Sequence, residues 1–145
     1  MTLYYYVDRP GPQQEAANYA MNWLLTRAAL TPKKTGFAYI PTLDNLDMKT
    51  LGVAISKFFG DKPVKNLMLH EETMIGQIRI ILLNNDNIIR DAGNCPLVAF
   101  YPAPDELGGL DYIKNITEML LVPYQEKEAT EWIRKRNAIQ LRTSR

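Results

Sequence analysis

The chain has 145 residues, with 17 Lys plus Arg against 16 Asp plus Glu, and its formal net charge of +1 creates no global field toward nucleic acid or an anionic membrane. A hydrophobic fraction of 46% with 23% charged residues supports a packed core without staples and argues against disorder over most of the length. Cys95 is the only cysteine, which excludes an internal disulfide and a thiolate metal cage.

The length suits one α/β domain over residues 1–145. The opening residues lack the basic and apolar regions of a secretory signal, and no apolar run approaches the roughly 18–20 residues that cross a bilayer. A soluble, cytoplasmic protein is the expectation.

Leu3 to Val7 is rich in tyrosine and suits a first strand. Gly11-Pro12 resembles a helix entrance, and Ala17, Ala20, Met21, Leu24, Leu25 and Ala28 follow at the spacing of an amphipathic helix reaching about Leu30. Tyr19 and Trp23 widen its apolar side. After a polar break with Lys33 and Lys34, Phe37 to Ile40 is a short apolar run expected to be a buried strand, ending at Pro41-Thr42. From Asp44 the periodicity turns helical through Phe59, with Gly60 as its exit.

Val64 to Leu69 reads as a further strand and Ile78 to Leu83 as a strongly β-branched one. Few residues separate them, so they either pair antiparallel or are joined by a short helical turn through Glu71 to Ile75. Asp86 is placed to cap a short helix through Ile88 and Ile89 that Gly93 ends. Cys95 then opens a strand from Leu97 to Tyr101, followed by Pro102 and Pro104 and by Leu107, Leu110 and Ile113 at helical spacing. Gly108-Gly109 predicts that this helix is short or bent. Met119 to Val122 is another buried strand. A helix from about Gln125 ends in Arg134, Lys135 and Arg136, basic groups suited to the negative end of its dipole, and Ala138 to Leu141 is a final edge strand.

Strands interleaved with helices in this way predict a three-layer α/β sandwich with a mainly parallel sheet, an architecture that resembles Rossmann-like folds and leaves room for one antiparallel pair. In open sheets of this kind ligands bind beyond the carboxyl ends of the strands. That places Thr42, Tyr101, Asp105, Glu106 and Tyr124 as candidate ligand-binding rim residues.

Several chemistries fail on residue supply. Neither a phosphate-binding glycine loop nor a dinucleotide fingerprint is present. Ser56 and Ser144 are the only serines, and neither sits in a nucleophile elbow. His70 is the only histidine, followed by Glu71 and Glu72, yet adjacent residues on a strand point to opposite faces and do not converge on one ion. No metal site and no catalytic set is therefore assigned, the cofactor is unknown, and Cys95 is expected to be a buried, inert thiol.

The first functional expectation is a non-catalytic binding or interaction module, for a protein partner or a second copy, with Tyr4, Tyr5, Tyr6, Trp23 and Trp132 as aromatic anchors. The second is a small enzyme or nucleotide-binding protein using the strand-end rim, with Asp105 or Glu106 as acid or base. Nucleic-acid association through Arg134, Lys135, Arg136, Arg142 and Arg145 ranks last, because the helix dipole already accounts for the first three. No membrane association is expected.

Overall fold

A computed structural model of the chain describes residues 2–8, 14–41, 52–53, 56–57, 60–85, 87–123 and 126–142. The strands are β1 (Leu3–Val7), β2 (Thr35–Tyr39), β3 (Glu72–Ile75), β4 (Ile78–Leu83), β5 (Asp91–Phe100), β6 (Lys114–Val122) and β7 (Ile139–Leu141). They form one seven-stranded sheet in the order β3-β4-β2-β5-β6-β1-β7. Every pairing is parallel except that of β3 with β4, a hairpin turned at Gly76 with φ +62. The fold is a Rossmann-like α/β sandwich.

Among the described residues the continuous helices are α1 (Gln14–Ala29), α2 (Asp61–His70), α3 (Pro104–Leu110) and α4 (Glu126–Arg136). Two separate cores show which face each covers. Met21, Leu24 and Ala28 of α1 and Leu67 of α2 are buried, and Met21, Leu24 and Leu67 pack with Ala38, Ile80, Leu82, Val98, Phe100 and Leu120 on one side. Leu107 and Leu110 of α3 and Ala129 and Trp132 of α4 pack with Phe37, Tyr39, Leu97, Ala99 and Leu121 on the other. The strand neighbours alternate between the cores, as side chains on a pleated strand must. Buried on both sides, β2 and the second half of β5 read as continuous apolar runs rather than alternating ones.

Residues 64–69 correct one expectation: they belong to α2, not to a strand. Lys65, Leu67, Met68 and Leu69 are helix formers without branching at Cβ, Pro63 fits a first turn, and Val64 and Leu67 share one side at a three-residue interval. The same helix period is readable in the sequence, but a short apolar run resembles a strand equally well. Neither alternative for the link between residues 64–69 and β4 holds: the antiparallel partner of β4 is β3, Glu72–Ile75, where the second option places a helical turn. The helix expected through Ile88 and Ile89 is absent among the described residues, while Asp86 lies outside them. Asn84 and Asn87 bridge instead, and β5 already starts at Asp91.

Gly93 accordingly serves a strand and not a helix end. Gly93 and Asn94 have φ of +62 and +65, and the β5–β6 register shifts between Asp91 and Leu97, so the chain bulges there. Cys95 is inside the strand, buried, and burial raises its thiol pKa, in line with an inert side chain. Asp91 braces the bulge: its carboxylate accepts the Gly93 amide at 2.7 Å and the Asn115 side-chain amide at 3.1 Å, and these bonds hold its pKa below the usual carboxylate range. A Cβ at Gly93 would both strain the left-handed backbone and overlap the Lys33 ammonium. Gly93→Ala is therefore expected to destabilise the protein by about 1–2 kcal/mol, most of it backbone strain since Lys33 can swing aside, measurable as a lower urea midpoint.

Candidate functional site

The sheet order locates the site. From β2 the chain passes to β4 on one side through α2, which covers the first face. From β5, the strand beside β2, it passes to β6 on the other side through α3, which covers the second face. Adjacent parallel strands whose connections depart in opposite directions form a topological switch, and their carboxyl ends are where open α/β sheets leave a crevice. The relevant exits are Tyr39-Ile40-Pro41 and Phe100-Tyr101-Pro102.

Polar groups converge there. The Tyr39 hydroxyl, on a ring 1% exposed, donates to Asn85 Oδ1, and the Asn85 side-chain amide donates to Glu106 Oε2. The second oxygen of Glu106 accepts the Ala103 backbone N–H at 2.6 Å, as expected of a glutamate three residues into a helix that reaches back to the N-cap. Three elements, β2, the turn after β4 and the start of α3, thus share one hydrogen-bonded relay. Burial raises the Tyr39 phenol pKa, and the nearby Glu106 carboxylate and then Asp105 raise it further, so the hydroxyl stays a donor.

Tyr101 closes β5 in the left-handed region at φ +56, directly before Pro102, while its amide donates to the Val122 carbonyl at 2.8 Å. A bulky residue in that conformation is a local outlier of the kind that gathers at functional sites. Its ring is buried on the α1 side, against Phe100 at 5.9 Å. Beside the switch a second carboxylate holds the turn after β4. Glu71, which ends α2 with φ +59, accepts from Asn87 Nδ2 at 2.7 Å and Asn84 Nδ2 at 3.3 Å.

Of the rim residues expected from the sequence, Tyr101 and Glu106 stand at this switch, and Asp105, exposed, neighbours it on the first turn of α3. Thr42 and Tyr124 lie outside the described residues. Tyr39 and Asn85 were not anticipated. Tyr39 sits in an apolar run and reads as core, and only its place at the last position of a strand could have flagged the hydroxyl; Asn85 reads as an ordinary turn residue.

His70 is exposed at the end of α2 and does not join the switch. Glu71 is held by the asparagines, and Glu72 forms a two-pronged pair with Arg79 at 2.7 and 3.0 Å that lowers its pKa. Among the described residues no group of His, Cys, Asp and Glu is arranged to hold a metal, and no helix is long and apolar enough to cross a membrane. Trp132 and Trp23 are buried, and they pack edge-on against Tyr4 and Tyr5, with ring centroids at 5.6 and 5.9 Å. Two of the C-terminal bases are engaged: Lys135 pairs with Glu131 at 3.2 Å, and Arg136 pairs with Asp111 and stacks over Trp132.

Fold and switch together define a doubly wound α/β protein whose polar carboxyl-end edge is built around Tyr39, Asn85 and Glu106. Comparison with protein-family models, curated proteins and solved structures finds no match to this chain.

Proposed function

We propose that this chain is a small-molecule-binding protein of the doubly wound α/β class, with its ligand seated at the carboxyl ends of β2 and β5. The supporting observation is the relay from Tyr39 through Asn85 to Glu106 at the switch between β2 and β5, the kind of strand-end position where open α/β sheets bind ligands. The residues suggest the chemistry of the ligand. Asp105 and Glu106, on the first turn of α3, put two carboxylates beside the relay. A phosphate would meet like charge there, whereas an ammonium or hydroxyl group would find acceptors. An amine or polyhydroxy compound is favoured over a nucleotide.

The full chain titrated with putrescine, ribose and AMP, followed by backbone amide chemical shifts, tests this. The amine or the sugar is expected to move the signals of Tyr39, Asn85, Tyr101 and Glu106, and Glu106→Gln to weaken that binding by about tenfold or more, the loss of one hydrogen bond to a charged group. Preferential binding of AMP, shifts confined to another surface, or no response to either of the first two compounds would overturn the reading.

A further inference from the structure

Away from the switch, α2 is anchored lightly. Leu67 is its one buried residue, while Met68 is 36% and Leu69 76% exposed. A groove of about 510 Å³ separates α2 from the helical residues 52–53 and 56–57. Val53, Val64 and Met68 supply its apolar lining, and Lys57 and Lys65 line it from opposite walls. Asp61, the one acid lining it among the described residues, already accepts a hydrogen bond from the Ser56 hydroxyl. The lining therefore combines apolar side chains with an excess of positive charge.

We infer that this groove docks an amphipathic helix of a partner protein, with leucine-like residues along one face and aspartate or glutamate beside them. Charge complementarity selects the acidic flanks, since two lysines outnumber one engaged carboxylate. Shape selects a helix over a small amphiphile. A molecule confined to the groove would leave Leu69, the exposed neighbour of the lining residue Met68, in water, whereas an incoming helix is wide enough to cover both. The ten residues of α2 span about 15 Å, enough to lie along anchors at i, i+4 and i+7 of such a helix. Met68 in the lining adds an adaptable contact of the kind found in helix-binding grooves.

The test uses the full chain and two fluorescent peptides of about 16 residues, long enough to be helical in water. Both carry leucines at i, i+4 and i+7, flanked in one by glutamates and in the other by lysines. The acidic peptide is expected to bind about tenfold or more tightly than the basic one, with amide shifts mapping to residues 52–57 and 61–69. Lys57→Glu combined with Lys65→Glu should reverse that preference, and Leu69→Asp should weaken the acidic peptide several-fold. All replaced side chains are at the surface, so unchanged circular dichroism would establish that the variants fold. Equal affinity for both peptides, no binding of the acidic one up to about 1 mM, or shifts outside the groove would overturn the inference. So would binding of decanoate in the groove that Leu69→Asp leaves unaffected when the acidic peptide does not bind, which would identify a small amphiphile as the occupant.

Discussion

Leu24→Ala is expected to lower stability by about 2–5 kcal/mol, and the same substitution made together with Gly36→Ala is expected to cost clearly less than the sum of the two. Leu24 is fully buried on α1, where it packs onto the backbone of β2 at Gly36. A Cβ at Gly36 would stand 2.9 Å from Leu24 Cδ1 and 3.0 Å from Cγ, so Gly36→Ala alone forces helix and sheet apart, at about 1–3 kcal/mol. In the double variant the new methyl enters space that the shortened side chain vacates. The coupling read from urea unfolding should be about 0.5–3 kcal/mol. Strict additivity would mean that α1 does not seat on β2 at this point.

Tyr39 carries the second large effect because its ring and its hydroxyl do different things. The ring is among the largest fully buried side chains, so Tyr39→Ala is expected to cost about 3–5 kcal/mol, by analogy with other buried aromatic truncations. Tyr39→Phe keeps the ring and removes only the bond to Asn85, for about 0.5–1.5 kcal/mol at neutral pH. Wild type and Tyr39→Phe differ again in alkali. Burial, the Glu106 charge and Asp105 all raise the folded-state pKa above the unfolded value near 10. A group whose folded pKa is raised contributes stability in full below its unfolded pKa and loses it as pH climbs toward the folded one. Wild type should therefore lose stability relative to Tyr39→Phe as pH passes about 10. Parallel stability curves for the two proteins from pH 8 to 11 would show that the phenol titrates normally.

These residues also show what could be read in advance. Phe37 to Tyr39 and Leu97 to Phe100 declare themselves as strands because burial on both faces demands unbroken apolar side chains, and Ile78 to Leu83 does so through its three isoleucines although the exposed Arg79 interrupts the run. The helical periods of α1 and α4 and the shortness of α3 at Gly108-Gly109 were equally legible. Residues 64–69 were misread because six apolar-rich residues satisfy either period, and only the burial of Leu67 against the first face separates them. The stretch before Cys95 was misread because a left-handed glycine ends a helix and bulges a strand with the same φ.

The sequence by itself determined the α/β class, most strands and helices, and the carboxyl-end turn that carries Tyr101, Asp105 and Glu106. Those follow from side-chain periodicity and backbone preference, which act within a few residues of each position. Tertiary structure alone decided that β2 lies between β4 and β5, which sets the switch, and that Asn85 links Tyr39 to Glu106 across 46 and 21 residues of chain. Strand order depends on which buried faces fit one another at long range, and no local pattern records that choice.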